Sequence, residues 1–219
     1  MTREVLSVKL RIFWNDHSRN YASIRFIVGR HRQFDRNEVL DLAMRVFVEK
    51  GFEATSIHDL IEATGINRAS LYDTFRDKES LFLEVLDRYD NKMYAELEEC
   101  LQSHSCKIDG LREWFYRVVE QGSNRRHPGC LMVNSTIERA LRDEDCAARS
   151  ARNFRRSEET YYQALVDAQN AGQISTETNL RALARFIAGT IRGLRVAAKA
   201  TSDYQTLKDI ADIALSNIR

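Results

Sequence analysis

The chain has 219 residues, 43% of them hydrophobic and 30% charged, with a formal net charge of +1. That length supports one large domain or two small ones with a true core, and the composition is that of an ordinary globular chain. The near balance of charge leaves any contact with nucleic acid to a local basic patch, and there is no run of about 18 apolar residues to span a bilayer.

Residues 1–28 show no helical period. Arg11, Asn15, Asp16, Arg19 and Asn20 interrupt any apolar stretch, so the segment does not read as a signal peptide. It is expected to be a disordered extension, or to precede a native start near Val28. The four cysteines, Cys100, Cys106, Cys130 and Cys146, then read as reduced thiols in a cytoplasm. One proline and nine glycines leave long helices uninterrupted, and few segments alternate as strands do. The expected fold is all-α.

Helical punctuation begins at Asp35, where Asp35-Arg36-Asn37-Glu38 reads as a capping box. Val39, Ala43, Val46 and Phe47 share one face, and Gly51 is expected to end this helix in the left-handed conformation. Ser56 caps a short second helix with Ile57, Leu60 and Ile61 inward. Thr64-Gly65-Ile66 makes a tight turn, and Asn67 caps a short third helix carrying Leu71, with Phe75 just past its end. Asp77 caps a fourth helix, which carries Leu81, Phe82, Val85, Leu86 and Tyr89 and runs to about residue 102. Further helices are expected over Leu111–Val119, Leu131–Leu141, 143–171, Leu180–Ala200 and Leu207–Ile218, the last capped by Ser202.

Short helix, glycine turn and short helix form a helix-turn-helix, whose second helix enters the major groove while the first braces it. The run from Thr55 to Phe82 closely resembles the signature of regulators of the tetracycline-repressor (TetR/AcrR) type. A Thr opens the second helix, Gly65 makes the turn, Leu71-Tyr72-Asp73-Thr74-Phe75 closes the third helix, and Lys78-Glu79 opens the fourth. Gly29–Asp35 resembles the basic N-terminal arm of that family, and Gly129–Asn134 looks loosely like part of one of its effector domains. The chain departs from the pattern at Ala69, where the family often has Gly, and at Asp73-Thr74, where it often has His-Tyr. The implied organisation is an extension over 1–28, a DNA-binding domain over 29–80 and an effector-binding and dimerisation domain over 81–219.

Asn67, Arg68, Ala69 and Ser70 lead the recognition helix, and Arg68 has the donor fork that fits guanine O6 and N7. Thr55, Ser56, Tyr72 and Lys78 are placed for phosphates, and Arg30 and Arg32 for a minor groove. Yet residues 29–90 hold nine Lys/Arg against thirteen Asp/Glu, so the attraction has to be local. The resemblance implies a homodimer on double-stranded, inverted-repeat operator DNA, paired through helices 180–200 and 207–218. Ala182, Gly189, Gly193 and Ala197 give the former a stripe of small residues, and Leu207, Ile210, Ala211, Ala214 and Ile218 share a face of the latter. The alternative is that both faces pack on their own domain.

A small hydrophobic effector is implied for the second domain. Its candidate contacts are Trp114, Phe115, Val118, Val119, Cys130, Met132, Asn134, Tyr161, Tyr162 and Leu165, each equally able to be plain core. Cys130, near a helix start, is either an inert thiol or the reactive switch of a redox or electrophile sensor. Cys100, His104 and Cys106 lack a recognised ligand spacing, and no metal, cofactor, P-loop, dinucleotide turn or nucleophile elbow is found, so no enzyme is expected. Deleting residues 1–27 is expected to leave the melting temperature and specific operator affinity unchanged, as thermal unfolding and a binding titration would show.

Overall fold

The computed structural model describes residues 34–125 and 128–218. Arg30, Arg32, His127 and the 1–28 extension lie outside the described residues. Those that are described form α1 (Arg36–Ala54), α2 (Ile57–Thr64), α3 (Arg68–Phe75), α4 (Lys78–Gln102), α5 (Lys107–Ser123), α6 (Leu131–Arg139), α7 (Glu144–Asn170), α8 (Leu180–Ala200) and α9 (Tyr204–Ser216). No described helix is long and apolar enough to cross a membrane.

The helix starts follow from side-chain capping of the orphan amides in the first turn. The Ser56 hydroxyl oxygen accepts from the Asp59 amide at 3.1 Å, and the Asp59 carboxylate accepts from the Ser56 amide at 2.8 Å. Asn67 accepts from the Ser70 amide at 2.9 Å and Asp77 from the Ser80 amide at 2.7 Å. Three boundaries differ from expectation. The third helix runs through Phe75 instead of ending before it. Gly51 has φ 77° and ψ 177°, an extended positive-φ conformation that essentially only glycine adopts, and a further helical turn follows to Ala54. The last helix starts at Tyr204, capped by Asp203, whose carboxylate accepts from the Thr206 amide at 2.7 Å; Ser202 lies outside it.

Two apolar cores share α4. The first gathers Phe47, Phe52, Leu60, Leu71, Phe75 and Phe82 with Leu81, Val85, Leu86 and Tyr89, and takes in Cys130, Leu131, Met132 and Cys146 from the α6 and α7 region. The rings of Phe47 and Phe52 meet that of Phe82 edge-on at centroid separations of 5.1 and 4.9 Å, a favoured aromatic geometry. The second core joins Leu97, Cys100 and Leu101 of α4 to Leu111 and Phe115 of α5, Tyr161 and Leu165 of α7, Ile187 of α8 and Ala211 of α9. With 25 residues, α4 reaches about 37 Å at 1.5 Å per residue, far enough to serve both.

The C-terminal end of α6 grips the first core. The Arg139 guanidinium lies 3.7 Å from the centroid of the Phe52 ring and pairs with Glu79 at 2.5 Å and Asp143 at 2.7 Å. The neighbouring Glu138 carboxylate accepts from the Glu53 amide at 3.1 Å. A Cβ at Gly51 would stand 3.2 Å from the same carboxylate, so glycine there serves both its backbone angle and this contact. Arg139→Met would keep a flexible chain over Phe52 while leaving both acids without a countercharge. The loss of stability in a urea titration is expected to be about 2 kcal/mol, below that of a fully buried pair because Glu79 is part-exposed; an unchanged midpoint would show that the cluster contributes nothing.

Candidate nucleic-acid interface and effector cavity

Leu60, Ile66, Leu71 and Phe75 anchor α2 and α3 in the first core. Gly65, at φ 68° and ψ 5°, makes the left-handed turn that ends α2, and its amide donates to the Ile61 carbonyl at 2.9 Å. That packing turns Asn67, Arg68, Ala69, Tyr72 and Asp73 outward, with Ser70 part-exposed. Among the described residues no acid pairs with Arg68, so its donor fork is available. The side-chain oxygen of Asn67 is occupied by its cap, leaving its NH2 as the group free to reach a base. Ser56 is exposed at the start of α2, although its hydroxyl also donates to Asp59 at 2.7 Å. Lys50 and the Ser56 cap hold the Asp59 carboxyl well below its ordinary range.

Two residues assigned to phosphates serve the fold. Thr55 is 1% exposed, with its hydroxyl donating to the Gly51 carbonyl at 2.6 Å, so it presents nothing to DNA in this conformation. The Lys78 ammonium donates to the Phe52 and Thr55 carbonyls at 3.0 and 2.9 Å and lies 4.0 Å from the centroid of the Phe52 ring. It ties the end of α1 to the start of α4. Arg36, at the start of α1, is paired with Glu84 at 2.5 Å. Sequence reasoning missed Arg76: at φ 69° it is the single positive-φ residue other than glycine among those described, and it stands exposed just beyond α3. Its side chain alone gave no signal, because its exposure follows from the turn between α3 and α4.

Between α4, α5, α6, α7 and α8 lies a cavity of about 70 Å³. Of the proposed effector contacts, Trp114, Cys130, Met132 and Tyr161 line it. The others do not. Phe115, Val118, Val119 and Leu165 are packed in the second core, and the Asn134 side chain accepts from Lys199 at 2.9 Å. Tyr162 lies beneath the Arg181 guanidinium, 3.6 Å from its ring centroid. The Trp114 indole N–H donates to the Tyr161 hydroxyl at 2.9 Å within the wall.

The polar wall residues Asp90, Asn153, Arg156, Arg192 and Arg195 were not foreseen. Their signal was an excess of charge on helices otherwise striped for core. Asp90, 4% exposed, accepts from Asn153 at 2.6 Å and pairs with Arg156 at 3.6 Å. Burial by itself raises the Cys130 thiol, but the Arg195 guanidinium, the Tyr89 hydroxyl and the Val133 amide together hold it below its ordinary value.

A braced pair of short helices presenting an arginine and a tyrosine to solvent, above a helical domain with its own polar cavity, defines a helix-turn-helix regulatory protein. Residues 39–85 match the model of bacterial regulatory proteins of the tetR family, and residues 108–213 match that of the tetracyclin repressor-like C-terminal domain. The chain is 34% identical over 191 residues to the uncharacterized HTH-type transcriptional regulator YezE of Bacillus subtilis (strain 168), covering 86% of this chain and 98% of that one. It is 33% identical over 189 residues to the HTH-type transcriptional repressor ComR of Escherichia coli (strain K12), covering 85% and 90%. Among solved structures, a cysteine mutant of the TetR family transcriptional regulator CifR, complexed with 26-bp double-strand operator DNA, aligns with TM-score 0.77 at 28% identity. That alignment covers 85% of this chain and 98% of CifR. The chain belongs to the tetR family and is a DNA-binding transcriptional regulator, not an enzyme.

Arg68→Ala and Lys78→Ala are expected to separate reading from bracing. The first should leave the melting temperature unchanged and cost about 1–3 kcal/mol of operator binding, relaxing preference at one base pair per half-site. The second should lower the melting temperature and the affinity together. Thermal scans beside titrations over several salt concentrations would check both.

Proposed function

We propose that this protein acts as a homodimeric repressor in the cytoplasm, binding an inverted-repeat operator and releasing it when a small molecule enters the cavity. The observation that carries this reading is that α4 and α6 each run from the cavity wall to the reading head. Tyr89, Asp90, Met93 and Leu97 of α4 line the cavity, while Leu81 and Phe82 of the same helix pack under α1. Met132 and Val133 of α6 line it too, and Glu138 and Arg139 hold Glu53 and Phe52. The nine residues of α6 span about 14 Å, so displacement at one end reaches the other through a rigid element. A ligand that fits better when these helices have shifted would favour the conformation unable to read both half-sites. The operator complex of CifR and the repressor ComR support the DNA-binding half of this reading.

Pairing through α8 and α9 is supported by what those helices leave uncovered. Phe186 and Val196 are each 44% exposed on α8, in line with Ala182, Gly189 and Gly193, which are also exposed. On α9, Ile213 is 68% exposed and Ile210 38%. Most of the α9 face expected to pair is instead core: Leu207, Ala211, Ala214 and Ile218 pack on their own domain. The outward stripe of α8 and the two isoleucines of α9 are the surface offered to a second copy, which would set two recognition helices roughly 34 Å apart.

A second reading, a thiol switch at Cys130, is favoured by the arginine that pulls this thiol below its usual pKa. Against it, the residue is 5% exposed. Selection of bound genomic fragments tests the main reading: recovery of an inverted repeat supports it, and random fragments would overturn it. Gly193→Leu tests the dimer. Nothing lies within 4 Å of a Cβ at Gly193, so the lone subunit tolerates the change. Overpacking met twice across a two-fold interface, at about 1–3 kcal/mol each, is expected to shift the protein toward monomer in sedimentation and to weaken operator binding. A fully dimeric variant would move the interface elsewhere.

A further inference from the structure

The cavity carries more positive charge than its own residues neutralise. Arg156, Arg192 and Arg195 reach its wall, against the single carboxylate of Asp90. Asp90 is already engaged by Asn153 and Arg156. Arg192 donates to the Ser157 hydroxyl at 2.7 Å and to the Ala188 carbonyl at 2.8 Å, both neutral acceptors. Arg195 has no carboxylate either: its guanidinium bears on the Cys130 thiol, whose ionisation it favours. Its Nη1 faces the Met93 sulfur at 3.9 Å, a weak acceptor, and among the described residues no carboxylate pairs with it. A cation held away from bulk water without a countercharge is costly, so such a site favours an anion that supplies one. The remaining wall is apolar, with Leu97, Trp114 and Ile191 facing the same space.

We propose that the effector is a small organic carboxylate on an apolar body, whose carboxylate is taken by the Arg195 guanidinium while the body lies against Leu97, Trp114 and Ile191. This deepens the reading of the cavity as the effector site and rests on it. A planar guanidinium presents two parallel donors that match a carboxylate, which accounts for an arginine in this position better than a lysine would. The size is consistent with a ligand that enters by displacing helices. A void of about 150 Å³ admits benzene, and this one is about 70 Å³. The head group fits as the cavity stands; the body does not until α8 parts from α4 and α7. Binding and the shift of α4 are then one event.

The test uses benzoate and hexanoate as probes, with benzamide and hexanamide as neutral counterparts of nearly the same shape. Binding to the full chain is followed by calorimetry and by release of labelled operator. The expected result is that the carboxylates bind and release operator and the amides do not. Arg195→Gln should weaken carboxylate binding by about tenfold or more while retaining operator binding without ligand, and Arg195→Lys should recover part of it. Should Arg195→Gln fail to fold, the comparison of acid with amide in the wild type decides alone.

Amides that bind and release operator as well as the acids would overturn the anion assignment and leave the effector cavity standing. Absence of binding by all four probes at millimolar concentration would overturn the proposal. So would rapid alkylation of Cys130 by iodoacetamide that slows in Arg195→Gln without any carboxylate binding, since the arginine would then serve the thiolate. A chain that binds no specific DNA at all would instead remove the repressor reading.

Discussion

The grip of α6 on the end of α1 sets the orientation on which everything else depends. Arg139 lies on the Phe52 ring and draws Glu79 of α4 and Asp143, the cap of α7, onto the same guanidinium. The end of α1 and the start of α4 therefore meet the α6–α7 junction at one side chain that is 11% exposed. Burial disfavours the charge of Arg139, but the two carboxylates more than offset this and raise its pKa. Because removing any partner leaves a poorly solvated charge, the arrangement resists gradual deformation. It holds, or it is lost as a unit. It is the contact through which the proposed displacement of α6 would reach α1.

Arginine is used in two opposed ways. Along the α4–α7 seam, Arg149 is paired with Asp87 and Asp145, Arg152 with Asp87, and Arg156 with Asp90, so three arginines meet three carboxylates and serve packing. On α8, Arg192 and Arg195 face the cavity without carboxylates of their own, Arg195 bearing only on the Cys130 thiol, while Arg68 on α3 faces solvent. These guanidiniums are the groups that the proposed operator and carboxylate contacts would use. In the cavity the low dielectric magnifies the imbalance; on the exposed reading face water and salt screen it, and shape and hydrogen bonding decide more.

Two side chains expected at phosphates are engaged within the fold. Thr55 and Lys78 have the chemistry to bind phosphate, and the motif puts them near DNA. Their hydrogen bonds instead go to Gly51 and to the carbonyls of Phe52 and Thr55. For Lys78 these acceptors become available only when α1 ends in the irregular turn at Gly51, which brings its last carbonyls toward the first residue of α4. The α9 face is divided: Leu207, Ala211, Ala214 and Ile218 are core, and Ile210 and Ile213 stay exposed. Its apolar period is real, but a single helix has one such stripe whether it faces its own core or a second copy, and the choice depends on where α5 and α8 lie.

What the sequence determined by itself was local: the caps at Ser56, Asn67 and Asp77, the turn at Gly65, the periods of the long helices, the all-α class and the outward placement of Arg68 and Tyr72 on α3. Each depends on residues within about four positions of one another, where backbone geometry leaves few alternatives. Only the tertiary structure decided which charges would be left unmatched. Asp90 lies 63 positions from Asn153, and Arg139 lies 60 from Glu79. Whether an arginine is neutralised, stacked on a ring or left facing a cavity depends on which distant helix packs beside it, and no local pattern encodes that choice.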